Sequence, residues 1–279
     1  MIAPKLPDQK RLPLGKRITT AIGMLAGNAV VLAADTQESD GYFKEYALKI
    51  SSAMTHSRID ATVKSAVAIT GAGPGVHLDA VSDEIINMFH EGQYRTLDAF
   101  QNKLQSVVKE FYFEHVAKLK QYEIDRDFRL IVGAQIEGDV GLWTTEATVT
   151  LRSLGLEAVG TGSPFAKMAM LSRAISLDTE QTILLAILGI TNAKEHDHYS
   201  GKGTSVVCLK DNVAHDVPWY RIEEAGKLLK RCDGIEHSAF QYVLGNRFVD
   251  AEGHAEKIAE WLKDLRKDFK NLMPQLFRH

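Results

Sequence analysis

The chain has 279 residues, of which 45% are hydrophobic and 25% are charged, and its formal net charge is −3. This composition is ordinary for a globular protein, and the acidic balance lacks the basic surface that nucleic-acid binding needs. No apolar run approaches the roughly 20 residues that span a bilayer. We therefore expect neither a nucleic-acid nor a membrane partner, and we expect Cys208 and Cys232 to be reduced thiols in a cytoplasmic protein.

The first 18 residues are rich in lysine, arginine and proline. They lack the apolar stretch that a secretory signal carries after its basic residues. We expect residues 1–18 to form a basic N-terminal arm or a propeptide.

The next segment predicts a hairpin with a hydroxyl and a carboxylate at its open end. Gly27-Asn28 lies between two apolar runs, which is a two-residue hairpin pattern. Pairing the runs brings their far ends together, so Thr19 and Asp35 should be neighbours. Threonine and aspartate also end strands as turn formers, so this pair alone does not define a site.

Strands and helices alternate in groups after the hairpin. Apolar runs bounded by turn residues predict strands, and apolar residues at a period near 3.6 predict helices. In the first half the predicted elements are a strand at 63–70, helices from Val76 to near Gly92 and at 97–120, and strands at 128–136 and 142–151 joined through Gly138-Asp139.

The second half repeats this order. Asp178 and Gln181 occupy the positions of a capping box and predict the start of a helix. The other predicted elements are a strand at 157–160, a helix at 165–175, a strand at 204–209 and a last strand at 213–222.

The order of elements predicts an α+β fold in four layers. Hairpins imply antiparallel sheets, and each pair of helices has to cover one sheet face, which gives an αββα sandwich of two stacked sheets. We assign residues 19–222 to this domain. Residues 223–279 are predicted to be a helical C-terminal extension that packs outside the sandwich or against a neighbouring subunit.

Five short motifs, in order, resemble those of the proteasome β-type family of N-terminal nucleophile (Ntn) hydrolases. The resemblance covers about residues 18–222 and includes a threonine at 161, where the family usually has a serine. The motifs are Thr19-Thr20 with the strand ending in Asp35-Thr36, Lys49-Ile50, Thr70-Gly71-Ala72-Gly73, Val159-Gly160-Thr161-Gly162-Ser163, and Asp197-His198-Tyr199-Ser200-Gly201.

The resemblance implies a threonine-type peptidase with Thr19 as the nucleophile. A threonine hydroxyl needs a base, and in this family the base is the free α-amino group of the same residue. Lys49 would lower the pKa of that amine, and Asp35 would balance the lysine charge.

The remaining implied residues support the same reaction. Ser200 and Asp197 would hold the amine and the attacking geometry, with Thr161 assisting. The Gly71 N–H would face the developing oxyanion.

The resemblance also implies partners. The substrate would be a peptide or an unfolded protein, and the chain would assemble with copies of itself into rings, to which an ATPase partner could be added. No cofactor and no metal are expected.

One feature departs from the family pattern. The chemistry requires Thr19 to be the first residue, yet 18 residues precede it, and Ile18 stands where self-processing subunits usually have glycine. Two alternatives therefore stay open: a non-catalytic structural subunit that retains its arm, and an Ntn amidase that acts on a small molecule.

Three other motifs in the sequence, for a dinucleotide, a phosphate and a metal, lack residues that such sites require. Gly71 to Val76 lacks the third glycine of a dinucleotide fingerprint, and Gly201 to Ser205 separates its lysine from the hydroxyl residue of a phosphate loop. The neighbouring His196, Asp197 and His198 lack the distant ligands that a closed metal site needs.

Overall fold

The computed structural model describes residues 16–17, 19–39, 44–56, 63–118, 128–171, 173, 177–244 and 251–276. Most of the predicted arm, including Ile18, lies outside the described residues.

The first sheet is antiparallel and is centred on a long strand, β7. Its neighbours follow the order β1-β7-β8-β9-β10, and β6 also pairs with β7. The strands are β1 (Lys16–Arg17), β6 (Ser51–His56), β7 (Val63–Pro74), β8 (Arg129–Ile136), β9 (Asp139–Glu146) and β10 (Val149–Ser153).

The second sheet is antiparallel in the order β11-β2-β3-β12-β13 and contains the N-terminal hairpin. A separate ribbon of two short strands, β4 and β5, follows the hairpin. The strands are β2 (Thr20–Ala26), β3 (Ala29–Asp35), β4 (Gln37–Ser39), β5 (Lys44–Tyr46), β11 (Leu156–Gly160), β12 (Thr204–Lys210) and β13 (Val213–Asp216).

Helices cover the outer face of each sheet. The second helix continues into a π-helical turn at Tyr112–Ala117, and the last is followed by a 3-10 turn at Met273–Gln275. The helices are α1 (Gly75–Glu91), α2 (Leu97–Phe111), α3 (Ser163–Leu171), α4 (Thr179–His196), α5 (Trp219–Leu244) and α6 (Ala251–Leu272).

Three apolar cores hold the layers together, and they confirm the four-layer αββα sandwich. One core joins α1 and α2 to the first sheet, and a second lies between the two sheets. The third joins the second sheet to α3, α4, α5 and α6. The C-terminal helices therefore extend the outer helix layer, with Leu265 and Leu272 buried in the third core.

The hairpin forms as predicted, and its register positions the site. Gly27 has φ 56°, in the left-handed region that glycine adopts without steric cost. Ala26 pairs with Ala29 and Ala21 with Ala34, which brings the start of β2 beside the end of β3. Both faces of β3 are buried, which explains its unbroken apolar run.

Several predicted elements are wrong in extent, three of them for a clear local reason. The last strand ends at Asp216 rather than Ile222, because α5 begins at Trp219, directly after Pro218. The strand predicted at 142–151 is two strands, β9 and β10, separated by a turn in which Ala147 has φ 51°. The regular α-helix predicted at 97–120 ends at Phe111.

The predicted domain boundary falls inside a helix, since α5 spans residues 219–244. The division of the chain into domains stays a prediction.

Across the described ranges, no helix has the length and apolarity to cross a membrane. Cys208 and Cys232 are both free thiols, and burial raises the pKa of Cys208 to about 12.

Candidate active site

The hairpin, the ribbon and the segment before β6 bring three polar side chains together in the interior. Thr19 precedes β2, Asp35 ends β3, and Lys49 lies two residues before β6. The Thr19 hydroxyl donates to Asp35 Oδ1. Thr19 and Asp35 are both 0% exposed, so this is a buried polar cluster rather than a surface one.

Lys49 completes the cluster. Its Nζ lies 2.5 Å from Thr19 Oγ1 and 3.1 Å from Asp35 Oδ1, and it also donates to the Gln37 carbonyl oxygen. An ammonium group buried without partners would cost several kcal/mol, roughly. Here a carboxylate, a hydroxyl and a carbonyl satisfy it, so the charge stays directed at the Thr19 oxygen.

Asp35 is held by main-chain donors as well. Thr20 N donates to Oδ1 at 2.9 Å, while Gly201 N at 3.0 Å and Gln37 N at 3.3 Å donate to Oδ2. With both oxygens bonded, the carboxylate has a fixed orientation beside Thr19 and Lys49.

A second polar network is bonded to Thr20, the residue after Thr19. Ser200 Oγ and Thr161 Oγ1 each donate to Asp197 Oδ2 at 2.7 Å. Because a hydroxyl carries one proton, Ser200 then accepts from Thr20 Oγ1, which lies 2.7 Å away. Thr20, Ser200 and Asp197 thus form a directed chain of hydrogen bonds, and Thr161 donates to the same Asp197 oxygen.

Close backbone approach explains the two glycines around Thr161. A Cβ on Gly160 would lie 1.7 Å from the Thr19 carbonyl oxygen, and Gly160 has φ 96°. A Cβ on Gly162 would lie 2.0 Å from Thr20 Oγ1. The 160–162 turn therefore closes directly over Thr19 and Thr20, and it places the Thr161 hydroxyl on Asp197.

Gly71 lies in β7, where it pairs with Leu130 of β8. Gly71 and Lys49 line the same small cavity of about 20 Å³. Ala72, the next residue, would contact a Cβ placed on Gly160, so this part of β7 reaches the turn that covers Thr19. The oxyanion role of the Gly71 N–H stays a prediction.

The structure thus brings the seven predicted site residues into one region in two linked groups. Thr19, Asp35 and Lys49 form the first, with Gly71 beside it, and Ser200, Asp197 and Thr161 form the second. Thr20 N on Asp35 and Thr20 Oγ1 on Ser200 join the two groups.

Sequence reasoning missed Gln37. Its main chain contacts both Asp35 and Lys49, and its side-chain Nε2 donates to the Tyr199 carbonyl oxygen at 3.1 Å. The one available signal was its position two residues after Asp35. Within the described part of the chain, no group of His, Cys, Asp and Glu side chains could hold a metal ion.

Chemically, the first group can activate a hydroxyl. A buried ammonium at 2.5 Å stabilises negative charge on Thr19 Oγ1, and the fixed carboxylate balances that ammonium. In the intact chain the Thr19 nitrogen belongs to the peptide bond with Ile18, so it cannot act as the base.

No protein-family profile matches the chain, and no curated protein matches it. Solved structures do match. Anbu (ancestral beta-subunit) from Yersinia bercovieri has 13% identity and a TM-score of 0.55 over 68% of this chain and 81% of that chain.

Two further Anbu structures cover more of the chain. An Anbu mutant from Hyphomicrobium sp. strain MC1 has 13% identity and a TM-score of 0.59, over 90% of this chain and 96% of its own. The helical assembly of the Anbu complex from Pseudomonas aeruginosa has 14% identity and a TM-score of 0.56, over 91% and 96%.

These matches correct the family expected from the motifs. The assignment to the proteasome β-type threonine peptidases is wrong, because the matching structures are Anbu proteins and no family profile matches. The motifs are short, and they occupy strand ends and turns that the sandwich itself imposes. At 13–14% identity the chain shares with the Anbu structures their αββα sandwich fold.

Proposed function

We propose that the chain is a threonine-type hydrolase that cleaves amide bonds in peptides, with Thr19 as its nucleophile once residues 1–18 are removed. One observation carries the proposal. The Thr19 hydroxyl is bonded to a buried carboxylate and lies 2.5 Å from a buried ammonium. A hydroxyl that serves packing alone needs neither charge, and each charge is costly to bury.

The reaction has two stages. The freed α-amino group of Thr19 takes the hydroxyl proton while Oγ1 attacks the substrate carbonyl carbon. The C–N bond then breaks, the leaving amine takes that proton, and the acyl group remains as an ester on Oγ1. A water molecule hydrolyses the ester, which releases the acid and restores the hydroxyl.

The neighbouring groups divide the remaining work. Lys49 stabilises the charge that develops on Oγ1, and Asp35 fixes and balances Lys49. The Gly71 N–H would face the oxyanion; losing such a donor costs about 3–4 kcal/mol of transition-state stabilisation. Ser200 and Asp197 would orient the freed amine, since Ser200 is bonded to the adjacent Thr20 and to Asp197.

The pairing of β1 suggests how a substrate peptide would be held. Lys16 and Arg17 pair antiparallel with Pro74 and Gly73 at the end of β7. Removal of residues 1–18 would leave these main-chain groups open to an incoming extended peptide, which would add a strand to the sheet.

The test begins with the intact mass of the purified chain. We expect a species that starts at Thr19, either after expression or after release from a cleavable leader that leaves Thr19 first. This species should hydrolyse fluorogenic peptides. Thr19→Ser keeps a hydroxyl and should retain turnover, whereas Thr19→Ala should reduce kcat by roughly 10⁴-fold or more.

Thr19→Ala also removes a buried hydrogen bond, so its stability has to be measured beside its activity. We expect a loss of about 1–3 kcal/mol in the free energy of unfolding and a folded protein at assay temperature. A chain that starts at Thr19, folds and shows no turnover of peptides would overturn the peptidase proposal. Turnover of small-molecule amides alone would instead support the Ntn amidase.

A specific observation favours a second candidate, a structural subunit that keeps its arm. Thr19 is fully buried in the intact chain, and β1 already occupies the end of β7. An intact mass that includes residues 1–18, together with no hydrolysis, supports this candidate.

Both candidate functions, the hydrolase and the structural subunit, include self-assembly. The helical assembly of the Anbu complex from Pseudomonas aeruginosa supports the proposal that copies of this chain associate. Light scattering coupled to gel filtration tests it, and a monomer at micromolar concentration would contradict it. The ATPase partner and the cytoplasmic location stay predictions.

A further inference from the structure

The loop at residues 199–204 joins α4 to β12 and supplies two contacts to the candidate site. Ser200 Oγ accepts from Thr20 and donates to Asp197, and Gly201 N donates to Asp35 Oδ2 at 3.0 Å. The position of this loop therefore decides whether both polar networks are complete.

The Gln37 side chain holds the start of the loop. It is only 3% exposed, and its Nε2 donates to the Tyr199 carbonyl oxygen at 3.1 Å. Its Oε1 also packs closely over Gly201, because a Cβ on Gly201 would lie 2.3 Å from that oxygen. The amide thus spans the residues on both sides of Ser200.

Lys194, in the last turn of α4, holds the other end. Its Nζ donates to the carbonyl oxygens of Lys202 at 3.1 Å and Gly203 at 3.4 Å, and to Thr204 Oγ1 at 2.9 Å. Burial lowers the pKa of Lys194, and the Asp35 carboxylate opposes that change.

We propose that Gln37 and Lys194 are positioning residues that clamp the 199–204 loop at its two ends and thereby hold Ser200 and Gly201 in register with Thr20 and Asp35. Each side chain reaches the candidate site through its bonds to the loop. This inference rests on the proposed function for its effect on turnover, but the clamp itself is a structural claim.

The clamp adds to main-chain bonds at both ends of the loop. Tyr199 N and Ser200 N donate to Asp197 at the start, and Thr36 N donates to the Gly203 oxygen at the end. Gly201 and Gly203 lack side chains that could pack the middle of the loop in place. Displacing a reacting or positioning group by about 1 Å can cost roughly 100-fold in rate. Losing either end of the clamp should allow Ser200 and Gly201 to move by part of that distance.

The experiment compares Gln37→Met, Lys194→Met and the double variant, each on the chain that starts at Thr19. We expect kcat to fall by roughly tenfold in each single variant and about 100-fold in the double, with KM changed less than twofold. Lys194→Arg keeps a donor to the carbonyls and should recover most of the loss. In the full chain, amide hydrogen exchange at Gly201 should accelerate about fivefold or more in each Met variant.

Matched controls remove similar groups elsewhere. Gln105 bridges the Thr148 oxygen and Thr150 N in the first sheet, and Lys230 pairs with Glu195 on the surface, so Gln105→Met and Lys230→Met should leave kcat and Gly201 exchange unchanged. Unchanged Gly201 exchange in both Met variants would overturn the clamp whether or not the protein is an enzyme. If the wild-type chain is inactive but exchange at Gly201 is faster in the Met variants, the proposed function is contradicted and the clamp is supported.

Discussion

At the level of single residues, the approach of Gly160 to Thr19 constrains the site most tightly. Gly160 pairs with Thr20 at the end of β11, has φ 96°, and would place a Cβ 1.7 Å from the Thr19 carbonyl oxygen. A backbone atom cannot rotate away as a flexible side chain can. Any side chain at this position therefore has to displace the backbone that carries the candidate nucleophile.

We expect Gly160→Ala to destabilise the protein by about 3 kcal/mol, because it combines left-handed strain with a backbone clash. Turnover by the chain that starts at Thr19 should fall in parallel. Urea unfolding followed by circular dichroism measures the first effect, and peptide hydrolysis measures the second.

Gly155 offers a control in the turn before the same strand. A Cβ there would meet nothing within 4 Å, so Gly155→Ala should stay within about 0.5 kcal/mol of the wild type. Equal stability of the two alanine variants would contradict the close contact between Gly160 and Thr19.

The contact between Thr19 and Asp35 follows from the sequence alone, because the two-residue turn fixes the register of the hairpin. The position of Lys49 does not follow in this way. A ribbon separates it from the hairpin, so only the motif resemblance pointed to it. Gln37 was missed because its position two residues after Asp35 was its one signal, and its bonds to Asp35 and Lys49 use main-chain atoms that any residue type supplies.

At the level of elements, α4 carries both Asp197 and the clamp residue Lys194, and its start was predictable. Asp178 accepts from Gln181 N at 2.7 Å, and the Gln181 side chain accepts from Asp178 N at 3.1 Å. This reciprocal pair is the capping box that the spacing predicts.

We expect Asp178→Ala to lower the free energy of unfolding by about 1 kcal/mol, because it removes the oxygen that accepts from Gln181 N in the first turn. Denaturant titration at neutral pH measures the change. Asp178→Ser retains a capping oxygen and should lose about half as much or less. Equal losses in the two variants would mean that the helix end is stabilised by something other than the cap.

The misread elements have a common physical cause. Short apolar stretches fit a strand or a buried helix equally well, so Trp219, Tyr220 and Ile222 extended the predicted last strand. Proline is favoured at the start of a helix and does not continue a central strand, and Pro218 indeed precedes α5. The turn between β9 and β10 has Ala147 at φ 51°, and an alanine does not predict a left-handed backbone conformation.

At the level of the whole molecule, the order of the layers follows from the grouping of elements along the sequence. The sequence does not show which sheet face each strand residue occupies. The central strands are buried on both sides, so their side chains read as one continuous apolar run. Which residue faces the helices and which faces the other sheet depends on pairing between distant strands. Gly23 shows this dependence, because a Cβ there would lie 2.5 Å from Ile131 of the opposite sheet.

The C-terminal helix α6 gives the last test, because its leucines divide between core and surface. Leu272 is 2% exposed within the core that joins α3 and α4 to the second sheet, whereas Leu262 is 50% exposed. We expect Leu272→Ala to cost about 2–4 kcal/mol in the free energy of unfolding, because it leaves a cavity. Leu262→Ala should change it by less than about 0.5 kcal/mol. Both changes in unfolding free energy are measured by urea unfolding at a concentration where the chain is monomeric.

A small loss for Leu272→Ala would mean that α6 is not part of the sandwich core in solution. A loss of self-association in Leu262→Ala, with unfolding unchanged, would show that the exposed side of the same helix contacts another copy.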